Sequence, residues 1–393
     1  MGEIIKRRQI FFIGGYDPKS SDAFFARMRK EAARFDQTWG AQTTVSPVRQ
    51  AEGDRVGVST LESKYKVDGV SHAAQTDFHF FELDSLVFAD FARPLPVRVG
   101  KYLEGFANFV YTGTAFRIFM KAWRFGLYFL FPFVMIALFV LVGALAACFL
   151  SRWVGWAAIL AGIAIYFGLQ AWVGKRWPIN HLMDLWSFSS NFIRGRRADA
   201  DQLMQHFAQT IVDVAGKGEA DEVVLVGHST GGLLILDVAG RCLEIDPSLA
   251  QRAKRFTVLT LGSTALKGGL HPAANKFRER VRRLSNDINV AWVEIQCLTD
   301  IINFYHTDPA REMRVSTRPD FVIVQNIKIK HMLDEATFKR IKRNFFRVHY
   351  QYIFGNTRPY WFDFFQVCVG AITLVERAQK RIEGPDYHEN ISA

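Results

Sequence analysis

One serine in this chain is set among glycines in a way that suits a nucleophile. Gly227-His228-Ser229-Thr230-Gly231 follows the apolar run EVVLV and precedes GGLLILDVAG, so a strand is expected to end and a helix to begin at the serine. A serine on so sharp a turn sits in a strained conformation. Side chains two positions to either side would collide with it, and glycines stand there instead. The amide of Thr230 then points into the positive end of the following helix, where a developing oxyanion is stabilised. A phosphate-binding loop is a poorer match because no lysine follows the second glycine, and a plain strand-to-helix turn with a capping serine is the bland alternative.

Such a serine needs a strand ending beneath it and a helix leaving it, and the surrounding sequence supplies both kinds of element. QIFFIGG, RVGVSTLE and DFHFFELDSLV in the first part of the chain, and EVVLVG, FTVLTLGS, VAWVEIQCL and FVIVQNIKI in the last part, are expected as strands. Helices are expected at SSDAFFARMRKEAARFDQTWG, with a Ser/Asp start and Gly40 at its end, at ADADQLMQHFAQTIVDVAGKG, at GGLLILDVAGRCLEID and at DEATFKRIKRNFFR. This alternation predicts an α/β fold, a mostly parallel sheet with helices on both faces. Loops at the carboxyl ends of parallel strands gather in one crevice. The positions of interest are therefore Gly14 to Asp17, Gly227 to Gly231, Asp300 and the histidines after the last strand. The polar tail from Gly384 onward is expected to fray.

At GHSTGG the chain resembles the α/β-hydrolase superfamily, its serine esterases and lipases in particular. The resemblance implies Ser229 as nucleophile, an acid after a later strand and a histidine after the last one, in that order. Asp300, at the end of VAWVEIQCLTD, stands where the acid would be, while Asp308 before Pro309 is the fallback and reads better as a turn residue. Two histidines compete as base. His331 follows FVIVQNIKI directly, whereas His349, in FFRVHYQYIFG, resembles the H-x-x-Y stretches near the end of the lipase core. An unbroken helix from Asp334 would carry His349 more than about 20 Å from that strand end, so a break near Arg343 or Asn344 is required. His349 is the preferred base and His331 its rival; His306 and His228 rank lower, His228 as a residue that shapes the elbow. The oxyanion would be held by the amide of Thr230 and by Gly15 and Tyr16 in FFIGGYDP, where glycines allow close backbone approach. The implied activity is cleavage of an acyl ester through an acyl-serine, with no metal and no cofactor. The competing expectation is a hydrolase fold retained as a non-catalytic membrane scaffold or interaction module. The chain departs from the superfamily in lacking the usual strands before its first glycine loop, and in carrying its large insertion ahead of the elbow.

That insertion is apolar. Twenty-seven residues without a charge separate Arg124 from Arg152, and another 22 run from Trp153 to Gly174. At about 1.5 Å per residue each is long enough to cross a hydrocarbon core of about 30 Å, so a tight transmembrane hairpin is expected over 125–174. Trp123, Trp153, Trp156, Trp172 and Trp177 lie near the ends, as interfacial belts prefer, and Pro132 is tolerable inside a span. Arg117, Lys121 and Arg124 precede the hairpin, Lys175, Arg176, Arg194, Arg196 and Arg197 follow it, and Arg152 alone sits in its connection. The positive-inside bias then places the body and both termini in the cytoplasm, as in a bacterial inner-membrane protein. The hydrolase domain would be assembled from residues 1–124 and 175–393.

Lys and Arg outnumber Asp and Glu by 49 to 38. This excess fits the anionic leaflet of a membrane. KFRERVRRL (Lys276 to Leu284) and FKRIKRNFFR (Phe338 to Arg347) are segments that could lie along it, or simply be solvated helix faces. No nucleic-acid fold accompanies the charge. Cys148, Cys242, Cys297 and Cys368 show no CxxC spacing and read as buried, reduced thiols. The expected substrate is a lipophilic acyl ester; the sequence leaves oligomeric state open.

Overall fold

The computed structural model describes residues 4–50, 54–67, 70–316 and 318–382. The tail expected to fray from Gly384 lies outside them. The chain forms two compact units, one made of Met1–Ala89 with Ile193–Ala393 and one of Asp90–Phe192.

The first unit is an α/β fold on an eight-stranded mixed sheet. Its strands are β1 (Arg7–Ile13), β2 (Gln42–Val45), β3 (Val56–Val67), β4 (Val70–Phe81), β5 (Glu222–His228), β6 (Phe256–Leu261), β7 (Val290–Cys297) and β8 (Val322–Ile327), in the spatial order β2-β3-β4-β1-β5-β6-β7-β8. From β4 to β8 every pairing is parallel, while β2 and β3 add antiparallel pairings at one edge. All seven residues of β5 and all six of β6 are buried, which is what continuous Val, Leu and Phe runs specify when helices cover both faces. The antiparallel pairing of β3 with β4 makes the sheet mixed.

Several sequence expectations change at element ends. DFHFFELDSLV is not one strand: β4 stops at Phe81, and Asp84–Phe91 is a helix. The first helix, Ser21–Trp39, starts under the Ser20 side chain, which accepts from the Ala23 amide, and ends at Gly40 with φ 64°. DEATFKRIKRNFFR breaks into helices Glu335–Ile341 and Phe345–Tyr350, the second capped by Asn344, whose side chain accepts from the Arg347 amide. In the helix Asn275–Asn286, which carries KFRERVRRL, Arg280 is buried and pairs with Asp237 (2.7 Å) and Glu244 (3.2 Å). That helix therefore does not present all of its basic residues to a surface.

Packing on one face of the sheet is dominated by phenylalanine. Phe12, Phe78 and Phe80 from the strands meet Phe24 and Phe364 from the helices, with Phe24 and Phe80 stacked at 4.1 Å. Truncating any one of these rings would cost roughly 3–5 kcal/mol. At the amino end of β1, buried Arg8 bonds Glu222 (2.7 Å) and the carbonyls of Cys368, Gly370 and Ile372, tying the first strand to the last helical segment.

The second unit is helical. It contains Leu95–Tyr111, Thr114–Lys121, Trp123–Val154 and Ala158–Arg176, and nearly all of Ile179–Ile193. Trp186 centres an aromatic cluster with Phe109, Phe125 and Phe129. The stretch Trp123–Arg176 is long and apolar enough to cross a membrane, and little of it is buried. It is interrupted by a single 3-10 turn, Gly155–Ala157, with Gly155 at φ 58°. The pieces on either side touch backbone to backbone, since a Cβ on Gly143 or Gly162 would lie 2.6 Å from the other's carbonyl oxygen. Cys148 in this stretch is exposed, contrary to the expectation of four buried thiols: an all-round apolar helix buries little of itself against protein. Cys242, Cys297 and Cys368 are buried.

Candidate active site

The parallel strands bring four carboxyl ends together. Ile13 of β1 is in register with Gly227 of β5, His228 with Leu261 of β6, and Leu261 with Ile295 of β7. The residue that follows β5 is Ser229, at φ 59° and ψ −122°. A non-glycine residue there is strained by roughly 1–2 kcal/mol, so the surroundings must impose it. The backbone does. The Ser229 amide donates to the Leu261 carbonyl (3.0 Å), and the Ser229 carbonyl accepts from the amides of Gly232 and Thr264 (both 3.0 Å).

The glycines around it are required by backbone contacts. A Cβ on Gly227 would meet the Gly231 carbonyl oxygen at 2.4 Å. One on Gly231 would meet the carbonyl oxygens of Ile13 and Gly14 at 2.1 and 2.4 Å, and one on Gly232 the Ser263 Oγ at 2.2 Å. The helix Thr230–Ile245 thus leaves the elbow pressed against the end of β1, which brings Gly15 beside the serine. The Cβ position of Gly15 is 3.5 Å from Ser229 Cβ.

Asp300 lies just beyond β7 and is buried. Its Oδ1 accepts from the Ile302 amide (2.8 Å) and its Oδ2 from His349 Nδ1 (2.8 Å). His349 sits in the short helix Phe345–Tyr350 that the Asn344 cap makes possible. With Nδ1–H given to the carboxylate, a neutral imidazole has its lone pair on Nε2. That atom is buried and has no hydrogen-bond partner among the described residues. Serine and imidazole meet around Gly262: Ser229 hangs from the carbonyl just before it, and His349 Cε1 lies 3.1 Å from its Cβ position. Ser229 Oγ and Nε2 are not hydrogen-bonded to each other. Such contacts are commonly loose without substrate.

The other sequence candidates fall elsewhere. His331 is exposed in the helix Ile329–Met332, edge-on to Tyr360, and makes no hydrogen bond to Asp300 or Ser229. His306 is exposed at φ 65° after β7, and Asp308 caps the helix Pro309–Met313 by accepting from the Arg311 amide. His228 is buried, and its Nε2 donates to the His349 carbonyl (3.0 Å), so it steadies the segment carrying His349. Burial first, and the nearby His349 second, hold its pKa well below the ordinary value and keep it neutral. Tyr16 is buried beside the glycine loop, and Thr230 opens the elbow helix.

Three contributors were given no role from the sequence. Lys267 is buried and donates to Thr230 Oγ1 (2.9 Å), and burial lowers its pKa to about 7. Tyr352 is fully buried against Gly262. Gly262 itself, at φ 50°, leaves the space that Asp300, His349 and Tyr352 occupy. Of these, Tyr352 stands in the H-x-x-Y stretch with His349 and Gly262 directly follows the strand beside the elbow, both readable signals, whereas Lys267 carries none. Comparison with protein-family models, curated proteins and solved structures finds no match to this chain.

Proposed function

We propose that the chain is a membrane-anchored serine hydrolase of the α/β-hydrolase type, cleaving an acyl ester through an acyl-enzyme. The observation that carries this reading is the buried Asp300–His349 hydrogen bond, with Nε2 of the imidazole left open across Gly262 from a serine at positive φ. In the first half-reaction His349 Nε2 takes the Ser229 Oγ proton as Oγ bonds to the acyl carbon. The tetrahedral intermediate then expels the alcohol, which leaves with that proton. In the second half-reaction water gives a proton to Nε2 and attacks the acyl carbon, and Nε2 returns that proton to Ser229 Oγ as the acyl C–Oγ bond breaks and the acid leaves. Asp300 holds the imidazole tautomer and stabilises the imidazolium. The amides of Thr230 and of Gly15–Tyr16 hold the oxyanion, each worth a few kcal/mol in the transition state. No metal or cofactor takes part in these steps.

The anchor is the stretch Trp123–Arg176, read as two antiparallel spans turning at Gly155, with the body and both termini cytoplasmic. Support comes from the flanking cations, from Trp153, Trp156 and Trp172 exposed near the span ends, and from the contact at Gly143 and Gly162. The helix Leu95–Tyr111 exposes Leu95, Val99 and Leu103 at four-residue spacing, and Thr114–Lys121 exposes Phe116 and Met120. Such faces suit the headgroup region of a bilayer, and they make lipophilic esters the substrate class.

Labelling with a fluorophosphonate tests the chemistry. Ser229→Ala is expected to abolish it, and His349→Ala to slow it by roughly 10²–10⁴-fold, the contribution of a general base, while His331→Ala labels normally. A wild-type protein that stays unlabelled would favour a non-catalytic membrane module, and full labelling of His349→Ala would remove His349 as base. Release of the protein from membranes by carbonate would remove the anchor.

A further inference from the structure

Beside the proposed oxyanion loop lies a small pocket that none of the proposed chemistry uses. Gly14, Gly15 and His228 form one wall, Phe24, Phe80, Tyr350 and Ile353 contribute others, and two cations, Lys19 and Arg27, face into it. Gly15 belongs both to this wall and to the contact with Ser229, so the pocket adjoins the nucleophile.

The charges in it do not cancel. Asp17 is the only carboxylate in the lining, and its Oδ2 accepts from the Tyr350 hydroxyl (2.9 Å) and pairs with Lys19 Nζ (3.4 Å). The Arg27 side chain makes neither a hydrogen bond nor an ion pair with any described residue, and feels Tyr350, Glu31 and Asp17 only at longer range. Glu31, one turn further along the same helix, is engaged elsewhere: its Oε2 takes Arg34 (2.8 Å) and the Gly355 amide (3.2 Å). The guanidinium of Arg27 is instead held over two rings, 4.9 Å from the centre of Phe24 and 5.4 Å from that of Phe354, and its buried Nε has no partner. A flat five-donor fork, oriented by aromatic rings and left unpaired, has the form of an anion receptor waiting for its anion. Burial lowers the pKa of both cations, and Arg27 lowers that of Lys19 further, so both charges would gain from a bound anion.

We infer that this pocket binds an anionic oxygen group, a phosphate or carboxylate, carried by the substrate next to its scissile ester. Arg27 takes the group through its fork and Lys19 adds a second charge. The inference rests on Ser229 being the nucleophile and narrows the substrate from lipophilic esters in general to anionic ones. Two sources share this chemistry, the headgroup of an anionic lipid and a soluble phosphate ester.

The rate of fluorophosphonate labelling of Ser229 separates them in detergent-solubilised, full-length protein. Slowing by phosphatidylglycerol micelles, with no slowing by phosphatidylcholine micelles, assigns a lipid headgroup. Slowing by glycerol 3-phosphate assigns a soluble ester. In Arg27→Gln the protecting concentration rises about 10–100-fold, as expected for loss of a charge-assisted pair. Lys30→Gln, on the exposed side of the same helix, keeps the wild-type value. Labelling that none of the three additives slows overturns the inference and leaves the nucleophile standing. If Ser229 is not labelled at all, calorimetric titration with inorganic phosphate still reads the pocket. Binding weakened tenfold or more in Arg27→Gln supports it, and absence of binding to the wild type overturns it.

Discussion

Gly262→Ala is a one-carbon probe of the site. The added methyl would stand 2.6 Å from Tyr352 Cε2, 3.1 Å from Asp300 Oδ2 and 3.1 Å from His349 Cε1, and all three side chains are buried. Two costs add. A side chain at φ 50° costs roughly 1–2 kcal/mol, and overpacking costs roughly 1–3 kcal/mol more, for a total of about 2–5 kcal/mol. The functional cost is separate. The side chains that must give way include the imidazole and its carboxylate, and a displacement near 1 Å lowers reactivity by about 10²-fold. Gly40→Ala supplies the control, because Gly40 has a similar φ of 64° and nothing within 4 Å of its Cβ position. It is expected to lose only the roughly 1–2 kcal/mol of backbone strain and to label at the wild-type rate. Thermal unfolding in detergent reads the first cost, and fluorophosphonate labelling of the folded fraction reads the second. Folded Gly262→Ala labelling at the wild-type rate, or Gly40→Ala impaired equally, would refute the placement of His349 against Gly262.

Two further predictions concern buried charges. Glu294, buried on β7 and accepting from Thr260 Oγ1, has its pKa raised by burial from 4.5 to about 8. A raised carboxyl pKa favours folding fully below about pH 4.5, and the benefit is lost as pH climbs toward 8, by about 3 kcal/mol at pH 7. Glu294→Gln is thus expected to lose less stability than the wild type between pH 5 and 8, and parallel thermal profiles would contradict this. Arg8→Met leaves the Glu222 carboxylate buried without its guanidinium and is expected to cost roughly 3–5 kcal/mol, with Arg8→Met/Glu222→Leu recovering part of the loss. A loss below about 1 kcal/mol would show that water reaches Glu222.

The parallel part of the sheet was legible because buried strands such as EVVLVG and FTVLTL are apolar without a break. The elbow was legible because glycines must flank a serine at positive φ. The antiparallel edge was harder, since β3 and β4 mix polar and apolar residues, and FELDSLV reads equally as strand or helix until Leu83 and Asp84 are seen to leave the sheet. The meeting of Asp300 with His349 depended on one cap. Asn344 ends a run that composition alone would continue as a helix, and local propensity does not say where a chain turns back. Arg27, Lys19 and Lys267 were invisible for a different reason. Their significance lies in which neighbours are missing or buried, and a linear sequence does not record that.

The order of strands explains how the first glycine loop comes to lie against the elbow. Because β1 lies between β4 and β5, the turn Gly14–Gly15 arrives directly beside the elbow, and the edge of the sheet is completed afterwards by β2, β3 and β4. The connection from β4 to β5 must therefore pass over β1, and within that single crossover the chain runs out through residues 90–192 and returns. The positions proposed to act on substrate come from other connections: those after β1, β5 and β7, and the segment after β8. A long apolar insertion at this one point lengthens none of the loops that set Ser229, Asp300 and His349 against each other. Loop-closure entropy grows only logarithmically with length, so the extra hundred or so residues add little cost to forming the sheet. A comparable insertion after β6 would fall at Gly262 and separate the serine's hydrogen-bonded support from the imidazole's.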